Sequence, residues 1–191
     1  MAPITLDSAT TALVVIDLQN GITAGQTFPH SPAEVIERAG RLAGRFREKR
    51  ALVVLVRVDP GPSGELFPRP LTDLERPRLP ANPEWSTIVS ALGPAPGDVV
   101  VTKHQPSAFF GTDLEIQLRR RGIQTVVLCG ISTNVGVEST ARTGFEHGFN
   151  LVFASDAMAA RDAELHAVSV GKFFPTIGRV RTTEEIVAGL A

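Results

Sequence analysis

Five short apolar runs rich in β-branched residues, each separated from the next by helical or polar sequence, limit what this chain can fold into. They cover residues 12–16 (ALVVI), 51–56 (ALVVLV), 99–101 (VVV), 125–129 (TVVLC) and 151–154 (LVFA). Unbroken apolar runs of that length predict strands buried on both faces, and such strands belong to parallel sheets covered by crossover helices. Between the first two runs, Ser31 and Glu34 form a capping-box signature and Pro32 occupies the first helical position. Val35, Ala39, Leu42, Ala43 and Phe46 then recur at helical spacing, predicting a helix to about Lys49. A second capping box, Thr112 with Glu115, predicts a helix over 112–121. A third helix runs to about His147, buries Val137, Ala141 and Phe145, and stops at Gly148. Further helices are predicted at 84–92, at 163–172 and from Thr182, with a short sixth strand at 178–180. The alternation specifies an α/β fold, a doubly wound parallel sheet with helices on both faces.

The 191 residues suit one domain, 1–191. Residues 60–83 hold half of the fourteen prolines and read as a long surface excursion, not a domain boundary. A formal net charge of -1 gives no sign of the basic surface that nucleic acid or an anionic membrane would require, so neither is expected as a partner. One cysteine permits no intrachain disulfide, so a cytoplasmic, reducing setting is expected. The amino terminus lacks the basic and apolar regions of a signal peptide. No apolar run approaches the roughly 20 residues of a membrane span.

Ligands of open α/β sheets bind beyond the carboxyl ends of the strands. Three polar features fall there: Asp17, Lys103 and the turn at 132–136. Asp17 follows five apolar residues, so its carboxyl needs a partner or a raised pKa, and Lys103 is a candidate partner. The turn carries the chain from a buried strand into a helix, whose first N–H groups lack partners and attract negative charge.

Three segments carry a resemblance: 14–21 (VVIDLQNG), 103–109 (KHQPSAF) and 128–140 (LCGISTNVGVEST). In order and spacing they resemble the signature segments of the isochorismatase-like cysteine hydrolase superfamily, and Asp156–Ala157–Met158 resembles its Asp-Ala segment. The resemblance implies a six-stranded sheet in a three-layer sandwich, and commonly a homodimer or homotetramer. It also implies a catalytic set of Asp17 and Lys103 with residue 136, where amide-cleaving members have a nucleophilic cysteine. Here that residue is Gly136. Cys129 lies on the preceding strand and is expected to be inert. Isochorismatases proper lack the cysteine too and protonate an enol ether. Ser132 stands where their turn would have an aromatic residue. The glycine is expected to leave room for a bulkier substrate.

Ser132 and Gly136 match the family's oxyanion-binding backbone, and the Ile131–Ser132 peptide matches a cis bond. Thr133, Asn134 and Gln19 complete the motif positions expected to touch substrate, and His104 is the only histidine adjacent to the site. Arg57 suits either a substrate carboxylate or a surface ion pair. Phe109, like Phe28 and Trp85, suits an apolar pocket, the core or a subunit interface. Glu138 suits either a role as an acid or, more readily, a favourable interaction with the helix dipole. The zinc site of nicotinamidase-like members is not matched. Asp59 is followed by Pro60 and Gly61, and no histidine lies between His30 and His104, so neither metal nor cofactor is expected.

The leading expectation is therefore a cofactor-free hydrolase of a small anionic or carbonyl-bearing metabolite, with Asp17 as acid/base. The alternatives are amide or imide hydrolysis by activated water, and an inactive member that binds a small molecule or protein.

Overall fold

Strand β1 (Thr11–Ile16) is fully buried and lies at the centre of the sheet. The computed structural model describes residues 3–74, 79–80 and 82–191. β2 (Leu52–Val58) and β4 (Thr125–Ile131) flank β1, both parallel to it. β3 (Val99–Lys103) lies outside β2, and β5 (Asn150–Ala159) and β6 (Arg179–Arg181) lie outside β4. The six-stranded order β3-β2-β1-β4-β5-β6 reverses direction between β1 and β4. That reversal opens a crevice at the carboxyl ends of those two strands.

Side chains alternate across the sheet and feed two cores. Leu13, Val15, Val53, Leu55, Val127 and Val152 face α2 (Pro32–Glu48) and α7 (Thr183–Gly189). Ala12, Val14, Ile16, Val54, Val126 and Phe153 face the other layer, which includes α3 (Leu114–Arg119), α4 (Glu138–Glu146) and α6 (Phe174–Ile177). Helix α2 buries Val35, Ala39, Leu42, Ala43 and Phe46, and Ser31 and Glu34 close its capping box. A second capping box, Thr182 with Glu185, starts α7. A four-residue helix, α1 (Asn20–Thr23), follows β1, and α5 (Ala163–Val168) follows β5.

The structure corrects four local expectations. No helix forms at 84–92: Ile88 pairs with Gln19 in an antiparallel bridge and the Val89 N–H donates to the Leu18 carbonyl. That extended pairing is incompatible with helical backbone, so tertiary contact overrides a short local signal. α3 is shorter than expected and lacks its capping box, because the Thr112 hydroxyl accepts from the Leu114 N–H and donates to the Ala108 carbonyl. The helical run from 163 breaks after Val168 into a π-helical turn, Ser169–Phe173, before α6. In α4, Phe145 is half exposed; Thr140, Ala141 and Gly144 are buried, and the Phe109 ring fills the space over Gly144.

Candidate active site

The residue after β1 leaves the strand abruptly. Asp17 has φ 54, in the left-handed region that aspartate tolerates better than most side chains. The turn is fixed at both sides: the Asp17 N–H donates to the Val56 carbonyl, and its carbonyl accepts from the Gln19 N–H. Across the crevice β4 presses against β1 at Gly130, which has φ 121. A Cβ there would lie 2.0 Å from the Ile16 carbonyl oxygen, so only glycine fits. β4 then ends in the cis Ile131–Ser132 peptide, and a π-helical turn, Thr133–Val137, leads into α4.

Lys103 ends β3, two strands away from β1. It is only 1% exposed, and its chain reaches past the end of β2, where its register partner is Val58. Its Nζ lies 2.9 Å from Asp17 Oδ2 and donates to the Pro106 carbonyl at 2.6 Å. An ammonium has three donors, so one remains. Asp17 Oδ1 is buried and makes no hydrogen bond to any described residue. Burial pushes the Asp17 carboxyl above its ordinary pKa, and the nearby Lys103 charge and hydrogen bond only partly oppose that push.

Gly136 meets this pair directly. A Cβ at 136 would lie 2.9 Å from Asp17 Oδ2, 2.9 Å from Ile16 Cγ2 and 3.1 Å from Lys103 Nζ. The expectation that glycine opens room for a bulky substrate is therefore overturned. The carboxylate, the ammonium and Ile16 have closed on the place a side chain would take.

Beside the pair lies a cavity of about 230 Å3. Asp17, Lys103, Ser132 and Gly136 line it, with Val58, Ile131 and Val135. Ile22 comes from α1, Gln105 and Pro106 follow β3, and Gly64, Phe67, Pro68, Arg69 and Leu79 come from the proline-rich excursion. The excursion was legible in the sequence as a long surface loop; nothing in its composition singled out Arg69 or Phe67.

Other expected contacts lie elsewhere. Gln19 is fully buried and is spent on the main chain: its Oε1 accepts from the Val58 N–H, and its Nε2 donates to the Val58 and Trp85 carbonyls. Arg57 donates to the Thr102 hydroxyl and lines a different cavity, with Asp59, Asn82 and Ser86. His104 Nδ1 lies 2.7 Å from the Asp59 carbonyl, which can only accept, so Nδ1 carries the proton. Phe109 is buried and stacks on Phe149. The Thr133 hydroxyl is buried against His166 Nδ1 at 2.9 Å, and half-buried Asn134 is not part of the cavity wall. Glu138 pairs with Arg142 and accepts from Ser169. Cys129 is buried on β4, and desolvation pushes its thiol up to about 12. Among the described residues, no three His, Cys, Asp or Glu side chains converge as a metal site would require, and no helix is long and apolar enough to cross a membrane.

An Asp–Lys pair under a helix-entry turn at the switch point of a six-stranded parallel sheet matches a known architecture. The isochorismatase domain model matches residues 11–185. The chain belongs to the isochorismatase family of hydrolases. It is 50% identical over 186 residues to the uncharacterized isochorismatase family protein YecD of Escherichia coli O157:H7, covering 97% of this chain and 98% of that protein. It is 33% identical to ureidoacrylate amidohydrolase RutB of Methylobacterium radiotolerans, covering 93% of this chain and 78% of that one. The solved structure of an isochorismatase family protein from Burkholderia thailandensis superimposes with a TM-score of 0.94 at 42% identity, covering 98% of both chains.

Proposed function

We propose that this hydrolase turns over a small metabolite by acid–base catalysis from Asp17, without a covalent intermediate at residue 136. The observation that carries the reading is the state of Asp17. Its carboxyl is buried, its pKa is raised, and its Oδ1, beside the cavity, makes no hydrogen bond to any described residue. Burial that favours the protonated carboxyl suits the general acid that proton transfer to a weakly basic carbon or oxygen needs. On an enol ether, Asp17 would deliver its proton to the alkene carbon. Water would then add to the oxocarbenium ion and return one proton to the carboxylate; the resulting hemiketal collapses to a carbonyl as its hydroxyl proton passes to the departing oxygen, releasing the alcohol. Gly136 offers no nucleophile, and Lys103 holds the carboxyl in place and limits how far its pKa rises.

A second reading is amide or ureido hydrolysis by water activated at Asp17. It is supported by the amidohydrolase name of the 33% identical relative and by the helix-entry turn, whose N–H groups suit a developing oxyanion. A panel of enol-ether and ureido acids separates the two by which substrate is consumed. In either case Asp17→Asn should lower turnover by about 100-fold or more, with circular dichroism and melting temperature close to wild type. Turnover retained in that variant refutes acid–base catalysis by Asp17.

A further inference from the structure

The acid–base reading leaves one buried titratable ring unused. His166, on α5, is buried, and its Nδ1 lies 2.9 Å from the hydroxyl of fully buried Thr133. Burial and, second, the charge of His30 hold its pKa below the ordinary imidazole value, so the ring is mainly neutral at neutral pH. A neutral ring carries one donor and one acceptor, and a hydroxyl can meet either. His30 stands edge-on to it, with ring centroids 6.5 Å apart, and among the described residues is the one titratable group whose charge acts on it. Three residues on, the same helical face carries Ser169, also buried, whose hydroxyl donates to Glu138 Oε2 at 2.6 Å. Thr133 opens the π-helical turn and Glu138 is the residue that follows it. One face of α5 and its continuation therefore grips both ends of the turn. α5 is itself anchored at its start, where the Asp162 carboxylate accepts from the Glu164 and Leu165 N–H groups.

We propose that His166 is a positioning residue for the Asp17 site: through Thr133, and with Ser169 at the other end, it clamps the helix-entry turn closed over the Asp17–Lys103 pair. The proposal rests on the reading above that Asp17 is the acid–base group. Between the two grips lies Gly136, whose missing side chain lets the turn close on Asp17 Oδ2 and Lys103 Nζ. The opposite side of the turn is tied by Thr140, whose hydroxyl donates to the Gly136 carbonyl and accepts from the Ala108 N–H in the segment after Lys103. That tie holds the helical end of the turn and leaves its start to His166. The closed turn is part of what keeps Asp17 only 6% exposed. Freeing Thr133 loosens the start of the turn, and water reaching the carboxyl weakens the desolvation that raises its pKa. His166 thus acts on the acid without touching it.

The test needs no substrate. The Asp17 carboxyl is titrated by carbon NMR in the full chain, for the wild type, His166→Leu, His166→Asn and Thr133→Val. Asparagine places a polar atom where the histidine has Nδ1, and Thr133→Val keeps the shape of the side chain, removes its hydroxyl and changes no charge. His166→Leu and Thr133→Val should lower the Asp17 pKa toward the ordinary carboxylate value. His166→Asn should keep it near the wild-type value. A histidine that only stabilised the fold would lower Tm when replaced and leave the Asp17 titration where it is. The proposal is overturned if Thr133→Val leaves the Asp17 pKa unchanged or raises it, or if His166→Asn lowers it as far as Thr133→Val does. Should His166→Leu fail to fold, those two variants decide alone. Turnover retained in Asp17→Asn would refute acid–base catalysis by Asp17 and leave these titrations standing, so the two failures are distinguishable.

Discussion

Replacing Gly136 by alanine adds a single methyl group to the most tightly closed point of the site. Gly136 is not among the left-handed glycines, so alanine fits its backbone. In helical backbone, Gly→Ala alone stabilises by about 0.5–1 kcal/mol. Against that, the new Cβ meets Asp17 Oδ2 and Ile16 Cγ2, both at 2.9 Å, closer than any relaxed contact. Ile16 is fully buried in a packed core, and Asp17 is a short side chain anchored by Lys103. Overpacking of that kind costs about 1–3 kcal/mol. The expected net loss is about 1–2 kcal/mol, which for a chain of this size lowers Tm by about 2–8 °C. Gly40→Ala is the control: it lies within α2 with nothing within 4 Å of the added Cβ. It should raise Tm by about 1–4 °C through backbone propensity alone. Calorimetric melts of the two variants decide the matter. If Gly136→Ala stabilises as much as Gly40→Ala, the Asp–Lys pair does not crowd position 136.

Two further outcomes are expected. Lys103→Met removes the cation that holds the Asp17 pKa down, so that pKa should move further up. A group whose folded pKa is raised contributes stability at low pH that is lost as pH rises through the folded value. The variant's deficit, about 3–5 kcal/mol where Asp17 is ionised, should therefore shrink as pH falls. Urea melts in mildly alkaline and mildly acidic buffer check this, and an equal deficit in both refutes it. The Cys129 thiol, buried and with its pKa at about 12, should resist an aromatic disulfide reagent in native protein at neutral pH and react after unfolding in urea; rapid labelling of the native chain would contradict its burial.

The centre of the sheet was legible because its strands are buried on both faces, so a short apolar run with no alternation marks each of them. β1, β2 and β4 are of this kind. β5 was only half visible: its apolar sequence is interrupted by Ser155 and Asp156. Asp156 is held there by accepting from the Thr183 N–H and hydroxyl, a contact 27 residues away in sequence. Asp17, Lys103 and the turn could be assembled from sequence, because parallel strands must deliver their carboxyl ends to the same side. Arg69 could not, because a proline-rich segment has no periodicity to say which way a residue faces. Gln19 shows the opposite error. Its place in a motif suggested ligand contact, but its amide acts as a piece of main chain, joining the end of β2 to the segment carrying Trp85.

Three features that oppose stability meet at one residue. Asp17 has left-handed backbone, a carboxyl oxygen without a hydrogen-bond partner among the described residues and a buried ion pair. The first is uncommon for a residue with a side chain. The second costs about 1–3 kcal/mol. The third gives, at best, a small net gain, because desolvation of the two ions offsets their attraction. None is needed to build the sheet, whose central strands pair on buried, mostly apolar residues. The features have one cause in common. The reversal of strand order between β1 and β4 leaves a crevice where β1 ends, and the chain is anchored so that a carboxyl occupies it. The same burial that makes this carboxyl unfavourable for folding raises its pKa and so favours its acid form. For acid–base catalysis at this site, the stability cost and the catalytic property are therefore two readings of one desolvation energy.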